Sequence, residues 1–307
     1  MRIYSIFDDF GEIPAEILKK SGIDIVIHPI GVSRPDEVQM KALFEEYDGV
    51  IIGTSQKMGE QMFENISSPK IIATASVGLD HIQIPEDKKK YITVLNTPKA
   101  NAQSVAEYTF GCALTCCKRL FEGTELYKNS KNNKCLFQKP DDLFGKKLGV
   151  IGAGNISKKI MDYGVALGME VAYWTAHPES HKDVEDKGVK FEGIEQLLGS
   201  SNVISVNLPN NAETQRIISE SRVDMMKNDA IFISVSRKET VDVQALFKKA
   251  KDHAGFFVCL DLDIDQEIVQ IIPNTHNVIV TPHIAGGTIN TRKRMFSELA
   301  EKICSMA

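Results

Sequence analysis

The sequence predicts an α/β protein made of two doubly wound parallel-sheet domains, on three observations. Strand-like apolar runs alternate with helical patterns as far as about residue 100. A long helical stretch then runs into a polar break, and beyond it a second alternating series opens on a glycine-rich turn. The 307 residues suit two domains, and 43% hydrophobic content is ample for ordinary cores.

In the first series the strand patterns are "RIYSIF", "IDIVIHPI", "DGVIIG", "KIIATAS" and "YITVLN". The helical ones are "PAEILKKSG", "DEVQMKALFEEY" and "MGEQMFENI". A continuous helical pattern follows from Ala102 to Tyr127 and ends in "KNSKNNKCLFQKPDD", which reads as a loop. The second series runs through "KKLGVIGAG", "MEVAYW", "NVISVNLP", "AIFISVS", "GFFVCLDL" and "NVIVTPH", with helices between. The last helical pattern, "RKRMFSELAEKICSM", can return to cover either sheet.

A formal charge of −5 gives no basic footprint for nucleic acid, so a small anionic ligand must be held by local groups. No apolar run reaches the roughly 18 residues of a membrane span, and "MRIYSIFDDFGEIP" reads as a strand rather than a signal peptide. The expectation is a cytoplasmic protein without membrane or nucleic-acid partners. Cys112, Cys116 and Cys117 lie in an apolar helical run with no C-x-x-C pair, which predicts buried reduced thiols rather than zinc or disulfides.

"DLDIDQEIV" spaces Asp261, Asp263 and Asp265 like the start of a calcium loop. That loop needs Gly at its sixth position and Glu at its twelfth, and these are Gln266 and Ile272, so no metal is expected. "LGVIGAGNIS" sets Gly152-x-Gly154-x-x-Ser157 after a strand and before a helix. In a dinucleotide fold the first Gly makes the tight turn and the second admits the pyrophosphate to the helix N-terminus. The next strand end offers Trp174, Thr175, Ala176 and His177, with no acid before Glu179. A carboxylate there reads a free ribose 2′-hydroxyl and repels a 2′-phosphate. Its absence leaves NAD or NADP open and tilts the expectation to NADP, with Thr175 and His177 at the ribose and Lys182 as a further phosphate partner.

Several separated motifs together resemble the D-isomer-specific 2-hydroxyacid dehydrogenase family: "ASVGLDHI", "NTPKANAQSVAEY", "LGVIGAGNI", "NLPNNAETQRII", "SVSRKETVD", "LDL" and "TPHIAGGT". The resemblance covers nearly the whole chain. It implies a Rossmann dinucleotide-binding domain (99–284) inserted in a flavodoxin-like substrate domain (1–98 with 285–307), and a homodimer with the long helix and the loop after it at the partner surface. It implies His283 as acid–base group and Arg237 as the holder of the substrate carboxylate and keto oxygen, with the amides of Val77 and Gly78 assisting. Asn155 and Ile156 would lie by the pyrophosphate, Leu208 and Pro209 near the adenosine, and Val235 and Asp261 beside the cofactor, Asp261 at the nicotinamide carboxamide.

The chain also departs from the family pattern. The family's catalytic Glu falls on Gln266, with Glu267 one step beyond, so either one is the expected partner of His283. Asp263 and Asp265 are left as solvated surface. Lys238 follows Arg237 where Gly is usual, which narrows the pocket or adds a charge for a second anionic group. The expected activity is reduction of a small 2-keto acid (glyoxylate, hydroxypyruvate or pyruvate type) to its D-2-hydroxy acid. The rivals are a dehydrogenase of formate, phosphite or a phosphonate acid on the same scaffold, and a dinucleotide-sensing protein that binds without turnover. The turn "GTSQKMG" is a candidate for the side-chain pocket.

Overall fold

The computed structural model describes residues 1–128, 139–181, 184 and 188–306. They form two compact units, Met1–Asn101 with the segment from Thr288 onward, and Ala102–Gly287. The divisions fall a few residues beyond the expected 98/99 and 284/285, because the chain changes unit where helices start at Ala102 and Ile289.

The first unit alternates β1 (Arg2–Ser5), α1 (Glu12–Lys20), β2 (Asp24–Ile27), α2 (Glu37–Glu46), β3 (Gly49–Ile52), β4 (Lys70–Thr74) and β5 (Ile92–Leu95). All pairings are parallel, in the order β2-β1-β3-β4-β5, the flavodoxin-like arrangement. Every residue of β3 and β4 is buried, as strands covered on both faces require. α2 starts where Asp36 and Gln39 cap each other reciprocally. The C-terminal helix, Ile289–Cys304, belongs to this unit and buries Phe296, Leu299, Ala300 and Ile303 in its core. The Phe296 ring lies 4.9 Å from Phe7 and 5.0 Å from Phe10. "MGEQMFENI" forms only a 3-10 turn, Glu60–Phe63. Its neighbours Met62 and Phe63 are both fully buried, which one helical stripe does not provide.

The second unit opens with α3 (Ala102–Cys117) and α4 (Leu120–Lys128). These replace the single expected helix: Arg119 adopts φ 52° between them, its guanidinium bonded to both oxygens of buried Glu122 at 2.8 and 2.9 Å. The sheet that follows comprises β6 (Lys147–Ile151), β7 (Glu170–Trp174), β8 (Lys190–Phe191), β9 (Val203–Val206), β10 (Ile231–Ser234), β11 (Phe257–Asp261) and β12 (Val278–Thr281). The helices between them are α5 (Asn155–Ala166), α6 (Ile194–Ser200), α7 (Glu220–Met225), α8 (Val243–Asp252) and α9 (Gln266–Ile271).

The strand order β12-β11-β10-β9-β6-β7-β8 is the doubly wound dinucleotide-binding arrangement, with its switch point between β6 and β9. The pleat sends alternate residues to two cores: Phe257 and Cys259 to one, Val258 and Leu260 to the other. Cys112, Cys116 and Cys117 are buried free thiols in the first of these cores, with Cys116 Sγ 3.5 Å from Cys259 Sγ. The two-residue strand β8 has no counterpart among the expected strands, being too short to leave a pattern. No helix among the described residues is long and apolar enough to cross a membrane.

Candidate active site

β10, β11 and β12 are parallel neighbours, with Ser234 level with Leu260 and Asp261 level with Thr281. The segments that leave their C-terminal ends therefore emerge side by side, and they carry Arg237, Asp261 to Gln266, and His283. This edge of a doubly wound sheet is where such folds bind ligands.

Asp261 is 3% exposed, and its carboxylate is fully engaged inside the unit. Oδ1 accepts from the Thr281 hydroxyl at 2.5 Å and from the Ile284 amide at 2.8 Å, and Oδ2 accepts from the Ala285 amide at 2.8 Å. The Tyr108 hydroxyl, 2.7 Å from Thr281 Oγ, donates to it, since the Thr281 proton is already given to Asp261. Burial, followed by the nearby Cys112, pushes the Tyr108 phenol well above its ordinary value, so it stays a donor. This geometry braces the turn around His283 through Asp261.

That turn needs a brace, because His283 sits at φ 51°. Positive φ in a residue bearing a Cβ costs of order 1–3 kcal/mol and persists where surroundings enforce it. The ring of His283 is fixed separately: Nδ1 lies 2.7 Å from Asp263 Oδ1. The register explains this partner. Strand pairing continues past β11 through the Leu262 amide to Thr281 O at 3.0 Å, so Asp263 comes level with His283. The expected partners, Gln266 and Glu267, lie further on, exposed in the first turn of α9.

Asp263 is largely exposed, as expected of solvated surface, whereas Asp265 is mostly covered. It caps α9 by accepting from the Glu267 amide at 2.9 Å and the Ile268 amide at 3.4 Å, and it pairs with Lys238. The hydrogen bond from Lys238 holds its carboxyl below the usual range. Lys238 is therefore tied to α9 rather than free for a second anionic group. Arg237 is half-buried, and its carbonyl accepts from the amide and hydroxyl of Thr240 at 3.1 and 2.7 Å.

At β6 the turn into α5 has the features a pyrophosphate requires. Gly152 has φ 112°, and a Cβ there would lie 2.7 Å from Asn207 O, while a Cβ on Gly154 would meet nothing within 4 Å. Asn155 is exposed and Ile156 half-buried at the start of this twelve-residue helix, and Ser157 Oγ is buried with no hydrogen-bond partner. These residues fit a dinucleotide: a tight turn, open space over the second glycine, and the N-terminus of a twelve-residue helix. The Leu208 amide donates to Ser236 Oγ at 2.8 Å, Pro209 O accepts from Thr214 Oγ at 2.6 Å, and the Val235 amide donates to Val206 O at 3.3 Å.

After β7, Thr175 is half-buried and His177 largely exposed. The imidazole of His177 stands 3.6 Å from Glu179 and 3.8 Å from Glu213. Lys182 lies outside the described residues, as do residues 129–138 of the loop expected at a partner surface.

In the first unit, the turn after β4 holds Val77 and Gly78. The Val77 carbonyl accepts from Asn96 Nδ2 at 2.8 Å and the Gly78 carbonyl from Ser76 Oγ at 2.7 Å. Both peptide units are thus fixed by their oxygens, and the Ser76 hydroxyl is in turn 2.9 Å from Thr74 Oγ. In the "GTSQKMG" turn Met58 and Gln56 are buried, Gln56 accepting from Ser55 Oγ at 2.8 Å.

Residues 110–285 match the model of the D-isomer specific 2-hydroxyacid dehydrogenase, NAD binding domain. The chain is 33% identical over 270 residues to a hydroxypyruvate reductase of Thermotoga maritima, covering 86% of each. It is 29% identical over 300 residues to a glyoxylate reductase of Thermofilum pendens, covering 94% of this chain and 86% of the relative. Among solved structures, the D-lactate dehydrogenase of Aquifex aeolicus, complexed with NAD and lactic acid, is similar with a TM-score of 0.82 and 26% identity, covering 100% of this chain and 95% of that one.

Proposed function

This chain belongs to the D-isomer-specific 2-hydroxyacid dehydrogenase family, and on that premise we propose that it reduces a small 2-keto acid of the glyoxylate, hydroxypyruvate or pyruvate type to the D-2-hydroxy acid. The observation that carries the reading is the placement of His283 and Arg237 at strand ends flanking β11, on the same sheet edge as the glycine turn of β6.

The chemistry follows from the residues. When bound, a nicotinamide supplies the hydride. Arg237 offers a forked cation that stays charged and pairs with the substrate carboxylate and keto oxygen. We take 1–98 with 285–307 to be the substrate domain, and its Val77 and Gly78 amides are neutral donors suited to a carboxylate. His283 gives its Nε2 proton to the keto oxygen as the carbonyl carbon takes up the hydride, and recovers it from solvent.

We assign NAD(H) rather than NADP(H). The strand end lacks an acid, but Glu179 and Glu213 flank His177 and supply the negative charge that disfavours a 2′-phosphate. This reverses the tilt to NADP. Pairing of Lys238 with Asp265 also removes the spare cation that favoured a phosphite or phosphonate substrate. Exposed Leu114, Leu120, Phe121 and Tyr127 on α3 and α4 support a homodimer, and we place the protein in the cytoplasm.

The test is a panel of 2-keto acids with NADH and NADPH supplied separately, wild type against His283→Ala. Turnover of at least one acid, preference for NADH and near-complete loss in the variant are expected. An unchanged rate in His283→Ala would remove the mechanism.

A further inference from the structure

We infer that Asp263 is the residue that orients the acid–base group, in place of Gln266 or Glu267; this rests on the reading of His283 given above. An ionised carboxylate only accepts hydrogen bonds, so the 2.7 Å contact to Asp263 Oδ1 requires the proton on His283 Nδ1. In the neutral ring the lone pair is then on Nε2, and in the imidazolium Nε2–H is the free acid. During reduction the Nε2 proton moves to the keto oxygen, the hydride arrives at carbon, and Nδ1–H stays with Asp263. No charge is transferred to the carboxylate.

Two carboxylates, one at the end of β11 and one two residues beyond it, thus divide the work. Buried Asp261 holds the backbone of the turn through the amides of Ile284 and Ala285, and Asp263 holds the ring. A bland alternative is an incidental surface pair. Asp263 is 74% exposed, and an exposed pair contributes little to stability. That supplies the discriminating readout: orientation matters to the rate and hardly to unfolding.

The experiment compares Asp263→Ala, Asp263→Asn, Gln266→Ala and Glu267→Ala with wild type. Three things are measured: kcat and KM, thermal unfolding, and the ¹⁵N signals of the His283 imidazole. For Asp263→Ala we expect kcat to fall about tenfold or more, a share of the roughly 10²–10⁴ that a positioned acid contributes. KM should stay within about twofold, because Arg237 still holds the substrate, and unfolding should not move. Asp263→Asn should fall between, since an amide oxygen still accepts but carries no charge. The ¹⁵N signals should show Nδ1 protonated in wild type and a mixture of tautomers in Asp263→Ala. Full kcat in Asp263→Ala, or the loss appearing in Gln266→Ala or Glu267→Ala instead, overturns the proposal. The imidazole signals need no substrate, so they judge the pairing even if every keto acid fails and the functional reading falls.

Discussion

Replacing Asp261 with Asn tests whether the brace behind His283 is what fixes the site. The amide has the size of the carboxylate but one acceptor oxygen fewer. If its oxygen keeps Thr281 and the Ile284 amide, its NH₂ faces the Ala285 amide, donor against donor, at a position only 3% exposed where water cannot intervene. Losing one charge-assisted hydrogen bond costs about 1.5–3 kcal/mol, and the stranded donor raises the figure, so about 3 kcal/mol is expected. For a unit of this size that lowers Tm by roughly 6–12 °C. The readout is calorimetry with the two units' transitions resolved, since only the unit spanning Ala102–Gly287 should shift. With the brace weakened, His283 can relax from φ 51°, and kcat should fall at temperatures where the variant is still fully folded. An Asp261→Asn protein that unfolds within about 2 °C of wild type and turns over normally would refute the reasoning.

Two further outcomes follow from the same edge of the sheet. Gly152→Ala places a methyl 2.7 Å from Asn207 O at a φ of 112°, so titration with NADH should show binding weakened by at least about tenfold, and unaltered affinity would contradict the assignment of the turn. Asp265 has a folded-state value held below its unfolded one by Lys238, so its contribution is complete above the ordinary carboxylate range and disappears as pH falls through the lowered value. Hydrogen exchange at the Glu267 and Ile268 amides should report this: slow from neutral pH down past the ordinary range, faster in stronger acid, and fast throughout in Asp265→Ala, which removes the capping acceptor.

Much of the fold could be read directly because the information is local. β3, β4 and β10 are buried on both faces, and a strand in that position is a continuous apolar run bounded by polar turns. The glycine turn is legible for the same reason, since Gly152 answers a backbone need of its own position. The failures of element assignment were also local effects, but ones without periodicity. Arg119 splits a helix through one dihedral and a buried ion pair with Glu122, and nothing in the spacing of apolar residues announces either.

The carboxylates were harder, because what each one does depends on a strand that follows later in the chain. Counting along the sequence selects Gln266 as the neighbour of His283, whereas the pairing of Asp261 with Thr281 selects Asp263 two steps later on both strands. The alternation of Asp261, Asp263 and Asp265 already carried half of that information, since residues two apart share one side of a strand. The missing half was the register between β11 and β12. Once that register is set, the first Asp of "DLDIDQ" bonds the backbone of the histidine turn, its second lies 2.7 Å from the ring, and its third caps the helix that begins at Gln266.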